Sequence, residues 1–277
     1  DFNAVPLIAG YTNNEQVLAY MEATDDQKTE GELSPENFEM MITDEFSSVI
    51  RNPNENSTCE LKPEMVTNAV LFFYKPYPPT INTTVFRDRY LNFQTEKNFA
   101  AGLTLLAGKV ARHKSKKAFV YRFDYRPKTQ SVMKDVPEWA GVPHMFELPF
   151  VWGLTHLTGS NITQWQYNDK KQSEIIMLML TIFAKSGNPS ITSYKWEPFT
   201  QENPRILIID KNIEMDKPNM VDYKALAFWN DYYPLVVEDA TNICCNVTNT
   251  ATTWKIFFHN MCFNGVIVIA TLYRLCL

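Results

Sequence analysis

Apolar positions along this chain follow two different periods, and the change between them marks the elements. An apolar run at 5–10, Val-Pro-Leu-Ile-Ala-Gly, predicts a buried strand that enters a turn. The stretch 118–124 alternates strictly, with Phe119, Tyr121 and Phe123 on one side and Val120 and Arg122 on the other. That is a strand period. Arg-Ile-Leu-Ile-Ile at 205–209 predicts a third, short strand. Helical periods fill the intervals. They cover 13–21, with Asn13 or Asn14 as cap; 35–45, opened by Ser34-Pro35; 62–74, stopped by the prolines after Lys75; and 84–113, with Phe99, Leu103, Leu106 and Val110 on one face. Two more lie at 169–186, with a stripe of Ile175, Leu178, Leu180 and Phe183 ended by Gly187-Asn188-Pro189, and at 220–235. Polar loops are expected at 53–57 and 125–145. Strands alternating with helices predict an α/β protein with a mostly parallel sheet flanked by helices.

Composition narrows the function classes. The 277 residues are 45% hydrophobic and 21% charged, enough for a substantial core. A net charge of −5 argues against nucleic acid as a partner, because phosphate binding needs a surplus of Lys and Arg. The one basic cluster, Arg112 to Lys117, reads as a solvated helix end. Cys59, Cys244, Cys245, Cys262 and Cys276 have no zinc or CxxC spacing, so neither a metal nor another cofactor is expected. Sequons at Asn56, Asn82, Asn161 and Asn246 lean toward an extracellular or cell-surface glycoprotein. The chain opens without Met, just ahead of a core strand, which predicts a segment of a longer protein.

Two side chains are candidates for chemistry. His144 follows Gly141-Val142-Pro143, a constrained loop that would hold an imidazole still, as a general base requires. Glu15 follows the first strand and its turn, where α/β sheets gather their sites, and a carboxylate there would orient a histidine. Local spacing alone favours plainer roles. His144 would be a structural loop histidine and Glu15 a first-turn partner of a helix dipole.

Wider motifs reverse that balance. PEWAGVPHMFELPFVWGL (137–154) resembles the histidine loop of the cholinesterases, with His144 at the triad position. VPLIAGYTNNE (5–15) resembles the strand and turn that deliver the family's triad glutamate, at Glu15. FAKSGNPS (183–190), KWEPF (195–199) and AFWNDYYP (227–234) resemble three further family segments in the same order. The resemblance spans residues 4 to about 236. It implies the C-terminal half of an α/β-hydrolase fold of the type-B carboxylesterase/cholinesterase family. The order Glu before His fits, with the nucleophilic serine upstream, and no pair of the nine glycines brackets a serine as G-x-S-x-G. The segment alone is therefore expected to be inactive.

The resemblance also implies a substrate pocket of Leu18, Ala19, Trp139, Met145 and Phe146. Glu147, three residues after His144, is expected in a buried supporting role, because a carboxylate so near the base would otherwise compete with Glu15. Cholinesterases place aromatics at the positions of Leu18 and Ala19, so a small carboxylic ester other than a choline ester is the expected substrate. Met145 stands where the family has Gly, and Ala101 and Leu226 stand where it has a disulfide. The expected layout is a hydrolase part over 1–236, a polar linker over 237–253 and a hydrophobic tail over 254–277. That tail reads as a GPI signal, a transmembrane anchor or a segment without a role. Membrane attachment through it and a homodimer through the C-terminal helix are further expectations. A non-catalytic adhesion protein of the neuroligin type, built on the same fold, is the alternative.

Overall fold

The structure is a computed structural model that describes residues 5–24, 31–47, 62–113, 116–159, 163–242 and 268–270. The expected loop at 53–57, all five cysteines, Asn56, Asn161, Asn246 and all of the 254–277 tail except 268–270 lie outside these residues.

Continuous apolar runs form the sheet, as they must where strands are covered on both faces. Its order is β4-β3-β2-β1-β5, with β1 Leu7–Thr12, β2 Ala118–Phe123, β3 Ile206–Ile209, β4 Ile213–Met215 and β5 Val268–Ala270. The pairs β1–β2 and β2–β3 are parallel, while β4 and β5 add antiparallel edges. The register aligns Leu7 with Ala118 and Thr12 with Phe123. Both strands therefore leave the sheet at the same level, and the turns after β1 and β2 emerge side by side. Gly10 faces Tyr121 in this register, and a Cβ at residue 10 would lie 2.3 Å from the tyrosine ring. Only glycine lets the two strands pair with that ring in place.

Ile8, Phe119, Tyr121, Phe123, Leu207 and Ile209 form one face of the sheet's core. They pack with Val142, Phe150, Ile176, Met179 and Phe183. The last three belong to the helix Tyr167–Ser186, which ends at Gly187 (φ 72°), whose N–H reaches Phe183 O at 2.7 Å. The buried stripe of this helix is Ser173, Ile176, Met179 and Phe183, rotated from the expected one, and Leu178 is exposed. Polar residues account for the rotation. Ser173 Oγ donates to Phe150 O at 2.8 Å and Gln172 Nε2 to Asp210 O at 3.0 Å, so both are buried with their bonds made.

The chain divides into two compact units. One comprises residues 1–17, 102–223 and 266–277 and holds the sheet; the other comprises 18–101 and 224–265. The second unit has an aromatic core of its own. Phe46, Tyr74, Phe93, Phe228, Trp229 and Tyr233 cluster there, and Trp229 Nε1 donates to Tyr74 Oη at 2.7 Å. Its helices include Pro35–Ser47, which Ser34 caps by accepting from Asn37 N at 3.1 Å, and Pro63–Tyr74. The expected helix over 84–113 runs as Thr83–Thr95 and Ala101–Ala111 about one wider turn, where Ala101 N–H reaches back to Glu96 O. Ala101 and Leu226 are both buried. The last helix of this unit is Tyr233–Asn242.

Within the described residues no helix is long and apolar enough to cross a membrane. The described part of the tail, β5, lies antiparallel to Leu7–Ala9.

Candidate active site

Glu15 sits in the turn directly after β1, and its carboxylate is buried. Thr12 N–H donates to Oε1 at 2.6 Å, which holds the carboxylate against its own strand end. The other oxygen, Oε2, lies 2.5 Å from His144 Nδ1. The sequence separates these residues by 129 positions, and the shared level of β1 and β2 brings them together. His144 is about a third exposed, and its imidazole pKa is raised. The hydrogen bond that His144 donates to Glu15 is the largest cause, and the charges of Glu15 and Glu147 add to it against the opposing effect of burial. A histidine held this way keeps its proton on Nδ1 and presents Nε2 for proton exchange.

Backbone-directed bonds from Asn13 and Asn14 also join the two loops. Asn13 Oδ1 accepts from Val142 N at 2.8 Å, Asn14 Nδ2 donates to Ala140 O at 3.0 Å, and Asn14 N donates to Val142 O at 3.2 Å. Sequence pattern makes these asparagines candidate helix caps. The helix instead starts at Val17, and their side chains face the histidine loop. Between Ala140 and Val142, Gly141 takes φ +61°, and a Cβ there would lie 2.7 Å from Asn13 Oδ1. Arg126 supports the loop from below by donating to Gly141 O at 2.7 Å and to Val136 O. Sequence reading misses Arg126, because nothing local distinguishes one arginine in a polar loop from a solvated one.

The remaining expected site residues differ in their exposure. Met145 adopts the left-handed region at φ 69° and is exposed. Phe146 is half-buried against the core below the loop, and Trp139 is half-buried in a short turn. Leu18 and Ala19 lie exposed on the helix Val17–Thr24, three and four residues after Glu15 in the chain. Glu147 is buried, with Oε2 among the buried polar atoms that make no hydrogen bond. Burial pushes its pKa up to about 7, helped by the charge of Glu15 and opposed by His144. Asn82 is the exposed N-cap of Thr83–Thr95, with Oδ1 accepting from Thr84 N at 3.0 Å. Among the described residues no group of three or more His, Cys, Asp or Glu side chains is placed to hold a metal.

A carboxylate and then a histidine, carried on segments that follow the C-terminal ends of adjacent parallel strands, is the layout of an α/β-hydrolase. The model of the carboxylesterase family matches residues 1–229, and the chain belongs to that family. It is similar to the acetylcholinesterase of Bungarus fasciatus, with 26% identity over 199 residues that cover 71% of this chain and 31% of that protein. The cholinesterase of Mus musculus is 29% identical over 195 residues, covering 69% and 30%. The acetylcholinesterase of Danio rerio is 28% identical over 153 residues, covering 51% and 22%. The chain thus spans less than a third of the length of these relatives.

Proposed function

We propose that the protein carrying this chain is a serine carboxylic-ester hydrolase in which Glu15 and His144 serve a serine outside the chain. The serine hydroxyl attacks the ester carbonyl while His144 Nε2 takes its proton. The same nitrogen then returns the proton to the departing alcohol, and water repeats the cycle to release the acid. Glu15 keeps Nδ1 protonated and stabilises the imidazolium that forms. The observation that carries this reading is the 2.5 Å bond from His144 Nδ1 to a buried carboxylate that its own strand end already orients. A histidine with a merely structural role needs no such buried anion.

Leu18 and Ala19 supply no aromatic face for a quaternary ammonium, so neutral carboxylic esters are the favoured substrates. The resemblance and the sequons support an extracellular or cell-surface setting. The tail at 254–277 as a membrane attachment and a homodimer through the C-terminal helix belong to the same proposal.

The test is reaction of the intact protein with an organophosphate probe. Stoichiometric labelling of one serine is expected, lost on Ser→Ala substitution at the labelled position. Labelling should weaken as pH falls through the raised pKa of His144, because only the neutral imidazole accepts the proton. Folded protein that takes no label would sink the hydrolase reading in favour of a non-catalytic adhesion protein on the same fold.

A further inference from the structure

We infer that Asn13 and Asn14 are positioning residues that set the Glu15–His144 geometry by clamping the backbone of the histidine loop. The catalytic consequence rests on the hydrolase reading above; the clamp itself does not.

A single side-chain bond between two long loops leaves both able to shift against each other. Here the residues just before Glu15 hold the segment just before His144 at Ala140 O, Val142 N and Val142 O. Both anchor residues on the far loop, Ala140 and Val142, are fully buried. The clamped backbone therefore has no water to fall back on, and each lost partner would be an unmet buried group. Gly141 completes the fit, since its bare Cα lets the Asn13 carboxamide approach.

The two asparagines have opposite polarity, and the backbone dictates which is which. An amide N–H needs an acceptor, so Asn13 turns its oxygen to Val142. A carbonyl needs a donor, so Asn14 turns its nitrogen to Ala140. Aspartate has the shape of asparagine but can only accept when ionised. Asn13→Asp keeps the bond from Val142 N–H and makes it charge-assisted. Asn14→Asp loses the bond to Ala140 O and sets a carboxylate against that carbonyl. Two isosteric changes, each adding one negative charge beside Glu15, should thus behave oppositely.

The experiment is proton NMR of the intact protein, following the strongly downfield Nδ1 proton of a histidine hydrogen-bonded to a carboxylate. The resonance should persist in Asn13→Asp and disappear in Asn14→Asp. Asn14→Ala removes the donor without adding repulsion. It carries the same expectation as Asn14→Asp and decides the matter if the aspartate variant does not fold. Where ester hydrolysis is measurable, the Asn14 variants should lose about 100-fold in kcat with KM little changed, the size expected when a reacting group is misplaced by about 1 Å. A resonance that survives in Asn14→Ala would overturn the inference. So would equal loss in the two aspartate variants, which would make charge the cause. The signature needs no nucleophile, so a protein that keeps it without taking an organophosphate label retains the clamp and refutes only the hydrolase reading.

Discussion

Met145 carries a side chain in backbone territory that suits glycine. The left-handed region costs an L-residue roughly 1–2 kcal/mol, from the approach of Cβ to the following carbonyl. Met145 is more than half exposed, so little packing offsets that strain. Glycine would remove the strain but would have more freedom to lose on folding, roughly 0.5–1 kcal/mol. Met145→Gly should therefore stabilise the protein by up to about 1.5 kcal/mol in urea unfolding, and a clear loss of stability would mean that the methionine packs usefully. Glu147 offers a second residue-scale test. Its folded pKa of about 7 lies above the 4.5 of an ordinary glutamate, so the folded state holds its proton more tightly than the unfolded state. The native protein gains nothing from this below pH 4.5 and loses stability as pH rises from about 4.5 to 7. Glu147→Gln removes that loss. It should leave stability near pH 4.5 almost unchanged and raise it above pH 7 by up to roughly 3 kcal/mol. Equal effects at both pH values would show that packing, not ionisation, is the cause.

At the scale of elements, the β1–β2 register decides where the site forms, and one buried carboxylate pins the segment that follows β2. Asp169, in the first turn of Tyr167–Ser186, is fully buried. Its Oδ1 accepts from Tyr125 Oη and Lys128 N, both at 2.8 Å, and its Oδ2 from Thr129 N at 2.8 Å and Thr129 Oγ1 at 2.5 Å. Four donors from residues 125–129 therefore converge on one side chain. An asparagine in its place could accept at only one of the two positions and would turn an N–H against the backbone N–H of Lys128 or of Thr129. Asp169→Asn should cost about 3 kcal/mol in equilibrium unfolding, and a cost below about 1 kcal/mol would mean that the loop does not depend on this pin. The helical pattern at 169–186 opens on Asp169, and the helix is observed over Tyr167–Ser186. The pattern does not show the loop that the carboxylate holds, because those partners lie some forty positions away. The helix stripe is misjudged for a related reason. Hydropathy counts Ser173 and Gln172 as solvent-facing, while their bonds to Phe150 O and Asp210 O satisfy them in the interior.

For the molecule as a whole, local pattern determined much of the framework. Apolar runs and strict alternation located the three central strands, and proline, glycine and Ser34 marked helix ends, because these signals act within a few residues. Collinear motifs singled out Glu15 and His144 and the family to which the chain belongs. Three things only the tertiary structure decided. It divided the described chain into two compact units, since a separate core depends on which aromatics meet. It aligned β1 with β2 so that a carboxylate and an imidazole 129 positions apart close to 2.5 Å. It also turned Asn13 and Asn14 from helix caps into a clamp on the histidine loop. An asparagine bonds to whichever backbone group it meets, and only the fold brings Ala140 and Val142 within reach.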